Sequence, residues 1–562
     1  MESGFWDHLA AELGRLGIGM VVGFPSDLPS LVDATFRRKD MKTLVPRDQR
    51  MLGCVAAGYA RTKRHPAVIE VSTGPSVLNA LTGLAELASL RLPAVLVTTS
   101  VASDQRGRAA FQELSQRELL GQFAVWYHVM ASGEQLRWAV ESAVRQATGP
   151  RPGIAVIEVP ADVAEAIYSG EADSSPYSSA IPAARPLFAP AEEQLLDAVM
   201  LLERARRPLI VVGGGAHTAG AGPAVWKLAR ELDAPVFSTA SGRGTVPEVS
   251  NRFHDAGDNY CGLIGLYREA EMEDTLRRAD LVLAFGTRLE ETARDGWEEL
   301  LGGTPVVRVD TDHEAQLYGA QAECFLSGDA ALTAELLLAE TGRSTTPPRV
   351  SWGNEWRAAR DLLTKNHDSL GMVSATLRAL SHEYGDSRWC VVQENGLQDL
   401  WGYHYAHLQL GPLGTAVTPG EQTMMGFALP AAVGVRLADP ALETVVTCGD
   451  GALEMSLAAL ATARQADIGL TVITWDNGGW GWPRAERDTT ASLMSFTDRS
   501  RSLPALVHMF DDAQQVETPE GLGYALARAR EHARAGRLAL VAVRADDTEL
   551  PQAARRGLVR SA

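Results

Sequence analysis

Two short motifs place carboxylate, amide and backbone oxygens at the ends of apolar runs. The run Thr444–Cys448 ends at Gly449-Asp450-Gly451, and the run Leu470–Trp475 ends at Asp476-Asn477-Gly478-Gly479. Between the two runs, Met455–Ala466 has the apolar spacing of an amphipathic helix, so this stretch predicts a β-α-β unit. Because the carboxyl ends of neighbouring parallel strands meet at one edge of a sheet, we expect Asp450 and Asn477 to face one ion.

The residue types in these motifs suit a magnesium ion and a phosphate group. Mg²⁺ prefers octahedral oxygen ligands and commonly combines one or two protein oxygens with phosphate oxygens. Asp450 offers a charged oxygen, Asn477 an amide oxygen and Gly479 a backbone carbonyl. The glycines on either side of Asp450 permit a tight turn and a close approach of the backbone to a phosphate. A Gly-Asp-Gly turn alone is typical of many α/β proteins, but the second motif at this spacing favours a metal-diphosphate site.

The bulk composition limits the classes of partner. A chain of 562 residues is long enough for three or four domains, and its net charge of -18 disfavours nucleic acid as a partner. Its five cysteines show no CxxC spacing, so neither a zinc site nor a disulfide framework is expected. The N-terminal residues lack the apolar core of a signal peptide, and no apolar run is long enough to span a bilayer. We therefore expect a soluble cytoplasmic protein without a membrane partner.

The chain alternates apolar runs with helical patterns, and two stretches interrupt this rhythm. Ser169–Pro190 and Thr341–Trp352 are rich in small and turn-forming residues and are predicted linkers. They divide the chain into predicted domains at 1–170, 190–342 and 353–562. The alternation predicts the α/β class, with three doubly wound parallel-sheet domains. Besides the two runs above, the predicted buried strands are Met20–Phe24, Ala67–Val71, Ala94–Thr98, Ile154–Val159, Pro208–Gly215, Ala234–Phe237, Asp280–Gly286, Pro305–Asp310 and Leu538–Val543.

The Gly-Asp-Gly turn followed by DNGGWG resembles the thiamin diphosphate motif of the superfamily that contains acetolactate synthase, pyruvate oxidase and pyruvate decarboxylase. Asp476 stands where the family has the first of two asparagines. The segments 207–216 (RPLIVVGGGA) and 279–291 (ADLVLAFGTRLEE) are similar to the central domain of the same family. The resemblance implies a pyrimidine-binding (Pyr) domain, a central Rossmann-like domain and a diphosphate-binding (PP) domain, in that order. It implies thiamin diphosphate and Mg²⁺ as cofactors, with FAD in the central domain as the less favoured addition.

The resemblance also implies roles for individual residues. Asp450, Asn477 and the carbonyl of Gly479 would hold the metal, and Met425, in the GEQTMMGFALP segment, would prop the folded cofactor. Gln112, in the Phe-Gln-Glu element, would orient the substrate. The remaining cofactor contacts implied by the family motifs are Asn79 in the TGPSVLN loop, Gln398 in the ENGLQDLW segment, and Gly451 and Ala452 after the metal aspartate.

Gln49 stands where the family has its activating glutamate. That glutamate shares a proton with N1′ of the aminopyrimidine, and an ungapped match over Pro46–Arg61 puts Gln49 at its place. A glutamine can hydrogen-bond to N1′ but cannot pass it a proton. In one account Gln49 binds and polarises the ring and activation is slow. In the other, Asp48 takes over, although neighbouring side chains of an extended chain point to opposite faces. Loss of thiamin catalysis is a third possibility.

By resemblance, the leading hypothesis is a carboligase similar to acetolactate synthase. It would decarboxylate a 2-oxo acid and transfer the acyl-anion equivalent to a second carbonyl, with active sites at the subunit interface of a homodimer or homotetramer. The first segment lacks the adjacent histidine pair of pyruvate decarboxylases, and PRAERDTTASLM after Trp482 departs from the acetolactate synthase pattern. The alternatives are a non-carboligating 2-oxo acid decarboxylase, for example for a sulfonate or phosphonate substrate, and a catalytically weak, cofactor-binding regulatory subunit.

Overall fold

The computed structural model describes most of the chain as two compact units. The described residues are 4–24, 29–166, 187–249, 258–342, 349–363, 371–405, 407–487, 490–496, 506–545 and 550–561. The first unit contains the described residues of Met1–Pro186, Pro419–Ala441 and Ser456–Ile468, and the second those of Leu187–Thr418, Leu442–Met455 and Gly469–Ala562. Most of the predicted linker Ser169–Pro190 and the centre of the linker Thr341–Trp352 lie outside the described residues.

The first sheet has six parallel strands in the order β2-β1-β3-β4-β6-β5. Its strands are β1 (Met20–Gly23), β2 (Lys42–Leu44), β3 (Ala67–Val71), β4 (Ala94–Ser100), β5 (Ala124–Val129) and β6 (Ile154–Pro160). The helices of this part of the chain are α1 (Phe5–Arg15), α2 (Leu31–Phe36), α3 (Met51–Lys63), α4 (Pro75–Ser89), α5 (Gln116–Leu120), α6 (Leu136–Ala147) and α7 (Ala161–Glu165). Strands β3 and β6 are buried along their whole length, as expected for a sheet covered on both faces.

The second sheet is also parallel, with the order β12-β11-β10-β7-β8-β9. Its strands are β7 (Pro208–Val212), β8 (Val236–Ser238), β9 (Tyr260–Leu263), β10 (Leu281–Phe285), β11 (Val306–Asp310) and β12 (Cys324–Ser327). Its helices are α8 (Glu192–Arg204), α9 (Gly214–Ala219), α10 (Gly222–Leu232), α11 (Glu273–Arg278), α12 (Trp297–Leu301) and α13 (Ala330–Thr341). The central strands β7 and β10 are wholly buried, and their side chains form the middle of one hydrophobic core.

The third sheet has the order β14-β13-β15-β16-β18-β17, again with all strands parallel. Its strands are β13 (Trp389–Gln393), β14 (Gly414–Val417), β15 (Glu443–Gly449), β16 (Leu470–Asp476), β17 (Asp512–Val516) and β18 (Leu538–Arg544). The helices are α14 (Val350–Leu363), α15 (Gly371–Tyr384), α16 (Ala428–Ala438), α17 (Asp450–Met455), α18 (Leu457–Gln465), α19 (Gly481–Ala485), α20 (Leu522–Arg534) and α21 (Gln552–Ser561). Helices α16 and α18 belong to the first compact unit, although they lie between strands of this sheet in the sequence.

The strand order of the third sheet marks where a ligand is expected. The chain leaves β13 toward β14 on one side and returns to β15 on the other, so the direction of winding reverses between β13 and β15. In open parallel sheets, ligands bind outside the carboxyl ends of the strands at such a reversal. The segment after β13 and the turn after β15 are the two that border this point, and the latter carries Asp450.

The predicted fold class is confirmed, because all three sheets are parallel and alternate with helices. The predicted strands coincide with observed ones to within two residues at each end, except that the run Pro208–Gly215 extends three residues beyond β7. The predicted helix Met455–Ala466 coincides with α18 to within two residues at each end, and the short helix α17, which precedes it, was not predicted. Several observed strands were not predicted, among them β2, β5, β12 and β17, most of whose residues are only partly buried. Among the described residues, no helix combines the length and apolar character needed to cross a membrane.

Candidate functional site

The two predicted metal motifs lie side by side in the second unit. Strands β15 and β16 pair in parallel, with Gly449 opposite Trp475, so both motifs start at the same edge of the sheet. Asp450 is 7% exposed, and its Oδ2 accepts a hydrogen bond from the backbone N–H of Gly478 at 2.7 Å. Its Oδ1 accepts a bond from the N–H of Gly451 at 2.8 Å. Parallel pairing therefore brings the two motifs together, and Asp450 and Gly478 are in direct contact.

Asn477 links the second motif to the segment that follows β13. Its Nδ2 donates a hydrogen bond to Oε1 of Gln398 at 3.0 Å, and its Oδ1 accepts one from the N–H of Gly479 at 3.2 Å. The backbone carbonyl of Asn477 accepts a bond from Arg484 at 3.0 Å. Arg484 was missed by the sequence reasoning, because its position in α19 gives no local signal. Gln398 and Asn477, predicted separately, are thus direct neighbours.

The turn after Asp450 needs glycine for a packing reason. A Cβ atom on Gly451 would lie 2.5 Å from the indole ring of Trp480, which is closer than real contacts allow. Trp480 also packs edge-on against Phe496, with ring centroids 5.3 Å apart. A Cβ on Gly449 would meet nothing within 4 Å, so this side of the turn is open. Ala452 follows as a buried residue of the first turn of α17.

Buried carboxyl groups surround this edge of the sheet. Asp399 is 1% exposed, and its Oδ1 accepts a hydrogen bond from the indole N–H of Trp475 at 3.1 Å. Burial raises the pKa of Asp399 to about 7, against the opposing effect of its hydrogen bonds. Burial also raises the pKa of the Cys448 thiol, and the nearby carboxylates of Asp399, Glu394 and Asp450 raise it further. A metal ion bound at this edge would therefore have several carboxyl groups nearby.

The residues present fit a magnesium ion of the expected kind. Asp450, Asn477 and the Gly479 carbonyl are all oxygen donors, and hard oxygen ligands are those that Mg²⁺ prefers. Over the described part of the chain, no group of three or more histidine, cysteine, aspartate or glutamate side chains could hold a metal ion. A site with a single carboxylate therefore depends on amide, carbonyl and phosphate oxygens to complete its ligands.

The first unit places Gln49 beside another predicted cofactor residue. Gln49 lies in the turn before α3, half-buried, and its Oε1 accepts a hydrogen bond from Nδ2 of Asn79 at 3.2 Å. Asp48 is instead engaged by Arg50, whose backbone N–H and guanidinium both donate to its carboxylate. Burial opposes ionisation of Asp48, but the hydrogen bonds and charge of Arg50 outweigh it and lower its pKa.

Gln112 lies on a tightly bent loop. Its backbone adopts a φ of +60°, and Ala109 and Gly107 in the same loop have φ of +57° and +75°. A Cβ on Gly74 would lie 2.9 Å from Cβ of Gln112, so only glycine allows this approach. The side chain of Gln112 is exposed. Positive φ in non-glycine residues costs about 1 kcal/mol or more, and such strain is concentrated at functional sites.

Glu113 holds the backbone of this loop. Its Oε1 accepts a hydrogen bond from the N–H of Gly107 at 2.5 Å and its Oε2 one from the N–H of Ala110 at 3.1 Å. These backbone bonds lower the pKa of Glu113. Glu113 belongs to the Phe-Gln-Glu element, but the sequence did not predict its role. Its partners are backbone N–H groups that come close only when the loop folds.

Met425 lies in a loop that a buried carboxylate anchors. Glu86 on α4 is fully buried; its Oε1 accepts the N–H of Gly420 and its Oε2 the N–H of Met424 at 2.7 Å. Met425 itself is half-buried. Glu86 was missed because the sequence separation from Gly420 is 334 residues, and no local pattern marks such a contact.

Close helix packing fixes α3 and α16, which follow Gln49 and Met425 respectively. A Cβ on Gly58 would lie 1.9 Å from the carbonyl oxygen of Ala431, and one on Gly434 would lie 2.0 Å from that of Val55. The two helices therefore touch backbone to backbone, and both glycines are required for that approach. This packing holds the two helices that follow the loops of Gln49 and Met425 against each other.

The glycine-rich loop after β7 uses its N–H groups within the fold. The N–H of Gly213 donates to the carbonyl of Phe285 and that of Gly215 to the carbonyl of Gly286, both at 2.9 Å. The helix that follows, α9, is only six residues long. These contacts leave fewer donors for the phosphates of a dinucleotide, so the loop gives no support for a flavin.

The chain has the architecture of a cofactor-dependent α/β protein. It combines three doubly wound parallel sheets with a turn that offers oxygen ligands, at the point where the winding of the third sheet reverses. Family models agree with this class. Residues 5–119 match the N-terminal TPP binding domain of thiamine pyrophosphate enzymes, residues 195–337 their central domain, and residues 395–543 their C-terminal TPP binding domain. The chain belongs to the superfamily of thiamin diphosphate-dependent enzymes.

Three relatives that the chain matches over most of its length are acetolactate synthases. The chain is 25% identical to the acetolactate synthase isozyme 3 large subunit of Escherichia coli, over 95% of this chain and 93% of the relative. It is 27% identical to the isozyme 1 large subunit of the same organism, over 84% and 81%. It is 28% identical to the acetolactate synthase of Arthrospira platensis, over 85% and 82%. The chain is therefore similar to acetolactate synthases, at an identity that leaves its own reaction to be proposed.

Proposed function

We propose that the chain is a thiamin diphosphate- and Mg²⁺-dependent carboligase. It decarboxylates a 2-oxo acid and transfers the acyl-anion equivalent to a second carbonyl compound. The observation that carries the proposal is the contact between Asp450 and the Gly478 N–H, together with the bond between Asn477 and Gln398. These contacts join three predicted cofactor elements at one sheet edge of the second unit. The similarity to acetolactate synthases supports the carboligase reaction over other thiamin chemistry.

In this proposal the second unit holds the charged end of the cofactor. Asp450, Asn477 and the Gly479 carbonyl bind the metal, while Gln398 and the backbone at Gly451 and Ala452 contact the diphosphate. When bound, thiamin diphosphate supplies the nucleophilic carbon and accepts the electron pair that loss of CO₂ releases.

Gln49 faces N1′ of the aminopyrimidine in this proposal, and Met425 supports the bent cofactor. The amide of Gln49 accepts a hydrogen bond from Asn79, so its Nε2 is the atom that can donate to a ring nitrogen. An amide donor orients the ring without exchanging a proton, and C2 activation is then slow. The pairing of Asp48 with Arg50 argues against Asp48 as a substitute base, because that carboxylate is already engaged.

Gln112 orients the substrate in the proposed reaction. The amide is exposed on a loop whose backbone conformation is fixed by Glu113 and by contact with Gly74. A polar group on a rigid loop can select one orientation of a 2-oxo acid or of the acceptor carbonyl. The proposal leaves the identities of donor and acceptor to the experiment below.

Product analysis tests the reaction. The purified protein, loaded with thiamin diphosphate and Mg²⁺, is incubated with pyruvate and other 2-oxo acids, with and without aldehyde or 2-oxo acid acceptors. A hydroxyketone, from an aldehyde acceptor, or a 2-hydroxy-3-oxo acid, from a 2-oxo acid acceptor, is expected, formed with release of CO₂. A bare aldehyde would instead identify a non-carboligating decarboxylase. Absence of CO₂ from every donor, while the cofactor still binds, would identify a cofactor-binding regulatory subunit.

The proposal also covers the domain bounds, the cellular location and the oligomeric state of the protein. We propose domains at 1–170, 190–342 and 353–562, a cytoplasmic location, and a homodimer or homotetramer with active sites at the subunit interface. The domain bounds rest on the two predicted linkers, the location rests on the N-terminal and apolar sequence patterns, and the oligomeric state rests on the family resemblance. Light scattering after gel filtration distinguishes a dimer or tetramer from a monomer. The absorption spectrum of the purified protein between 350 and 500 nm tests for FAD, which is not expected because the Gly213 and Gly215 N–H groups are already bonded.

A further inference from the structure

A wholly buried ion pair lies in the second unit. The side chains of Arg243 and Glu248 are both 0% exposed, and Arg243 Nε lies 2.7 Å from Glu248 Oε1. Arg243 Nη2 donates to Glu248 Oε2 at 3.0 Å, so the contact is bidentate. Burying two charges is costly unless every donor and acceptor is satisfied, and such pairs often serve to specify one arrangement rather than to add stability.

The other donors of Arg243 bind two points that border the predicted diphosphate segment. Nη1 donates to Oε1 of Gln393 at 3.2 Å and to the carbonyl of Gly402. Gln393 is the last residue of β13, and Gly402 comes directly after Trp401, so the two enclose residues 394–401. One guanidinium therefore joins the start and the end of the segment that carries Gln398.

Glu248 and Arg243 also fix the chain beyond that segment. Arg243 Nη2 donates to the carbonyl of Leu408 at 2.5 Å, and Glu248 Oε2 accepts the N–H of Leu410 at 2.9 Å. With these bonds, all five N–H groups of Arg243 have acceptors. A lysine, with three donors and no planar fork, cannot reproduce the set.

The enclosed segment contacts strand β16 and the turn that follows it, which carries the second metal motif. Gln398 Oε1 accepts a bond from Asn477, and Asp399 Oδ1 accepts one from Trp475, the residue opposite Gly449. A shift of residues 394–401 would therefore move Gln398 away from Asn477. Groups that orient the direct ligands of a metal typically change its affinity by about 10- to 100-fold when they are removed.

We propose that Arg243 and Glu248 are positioning residues that set the affinity of the cofactor site by holding residues 394–401 in place. The pair touches neither cofactor nor substrate. The inference rests on the proposed function in one respect, namely that residues 394–401 contact the diphosphate. Arg243 and Glu248 lie in the loop after β8, so a loop of the second sheet would help to position the diphosphate site.

The test compares cofactor affinity with stability. The double variant Arg243→Met with Glu248→Leu removes both charges together, which avoids leaving one of them buried and unpaired. The measurements are the dissociation constant of thiamin diphosphate by calorimetry in excess Mg²⁺, thermal unfolding of the apoprotein, and hydrogen exchange of residues 394–402. We expect the dissociation constant to rise by about 10-fold or more and exchange in the segment to become faster.

The matched control is a second arginine-glutamate pair of the same unit. Arg530 and Glu443 form an ion pair at 2.7 Å at the amino end of β15, opposite the end that carries Asp450. The double variant Arg530→Met with Glu443→Leu is expected to lower the melting temperature while the dissociation constant changes by less than about twofold. An equal loss of affinity in both double variants would overturn the proposal, because it would show a general effect of lost stability.

A milder variant decides the matter if the double variant does not fold. Gln393→Met removes only the Arg243 contact at the start of the segment and keeps the ion pair. Weaker cofactor binding or faster exchange of residues 394–402 in this variant supports the proposal. Unchanged affinity and unchanged exchange in a folded variant overturn it. A wild-type chain that binds the cofactor but forms no product contradicts only the proposed reaction, since affinity and exchange remain measurable.

Discussion

The carboxylate of Asp450 accepts a hydrogen bond from the backbone N–H of Gly478 at 2.7 Å, and this contact ties together the ends of two parallel strands. It joins a Gly-Asp-Gly turn to an Asn-Gly-Gly turn that lies a whole helical crossover later in the sequence. The same strand edge receives Gln398 through its bond to Asn477. The architecture of a metal-diphosphate site is therefore built from three turns of one sheet.

Asp450→Asn is expected to weaken cofactor binding without unfolding the protein. The single amide oxygen still accepts one of the two backbone N–H groups, that of Gly478 or that of Gly451, and the charge that attracts Mg²⁺ is lost. We expect the dissociation constant of thiamin diphosphate in Mg²⁺ to rise by about 10-fold or more. The control is Asp310→Asn, an aspartate that ends a strand of the second sheet and likewise accepts a backbone N–H. Equal affinities for the wild type and Asp450→Asn would contradict the metal assignment.

Gln49→Glu is expected to accelerate activation of the cofactor. A carboxyl group beside N1′ can exchange a proton with the ring, and general acid-base groups contribute about 100-fold or more. The measurement is deuterium exchange at C2 of bound thiamin diphosphate, followed by NMR. Asp48→Asn separates the two accounts of activation: it leaves the wild-type rate unchanged if Gln49 faces the ring and slows it if Asp48 acts. An unchanged rate in Gln49→Glu would remove Gln49 from the site.

Glu86→Gln is expected to loosen the loop that carries Met425. One oxygen of the carboxylate is replaced by an NH₂ group that faces a backbone donor, so either Gly420 or Met424 loses its partner. Leaving a buried donor unsatisfied costs about 1–3 kcal/mol. Hydrogen exchange at these two amides should become faster, and the melting temperature should fall. The exposed Glu134→Gln serves as control and is expected to change neither.

Glu113→Gln is expected to make the Gln112 loop accessible to protease. The loop contains Arg106 and Arg108, so trypsin cleavage there reports how often it opens. Loss of one backbone acceptor should increase cleavage at these arginines, and it should raise KM more than it lowers kcat if Gln112 orients the substrate. Glu118→Gln, an exposed glutamate on α5, is the control. Cleavage at the wild-type rate would show that Glu113 does not hold the loop.

Because the pKa of Glu70 is raised by burial, we expect the free energy of unfolding to fall as the pH rises from mildly acidic to neutral. Its carboxyl accepts bonds from the N–H groups of Leu31 and Val32, yet burial raises its pKa to about 7 from an unfolded value of 4.5. The folded state then binds the proton more tightly, so the contribution of Glu70 is complete below pH 4.5 and is lost as the pH rises through 7. The loss is about 3 kcal/mol at most.

The corresponding measurement compares the wild type with Glu70→Gln. A glutamine does not titrate, so the difference in unfolding free energy between the two proteins should shift in favour of the variant between pH 5 and pH 8. The variant loses one backbone bond at both pH values, and that constant cost cancels in the comparison. A difference that does not depend on pH would show that Glu70 stays ionised in the folded protein.

The sequence by itself determined the α/β class, most of the central strands, and the type of cofactor turn. Buried parallel strands need continuous apolar runs, and the turns after β15 and β16 need glycine next to polar ligands. Both features depend on residues that are close together in the sequence. The family match followed from the same local motifs. Edge strands such as β2 and β17 escaped prediction because their residues are only partly buried and carry no clear pattern.

Only the tertiary structure decided which distant groups hold those turns in place. Glu86 reaches Gly420 across 334 residues, and Arg243 reaches Gly402 across 159. A single buried glutamate or arginine has no local signature in a sequence, because its role depends on which backbone groups the fold leaves without partners. The Asp450 turn could therefore be recognised from its residues, whereas the groups that position its neighbours became visible only when the sheets were assembled.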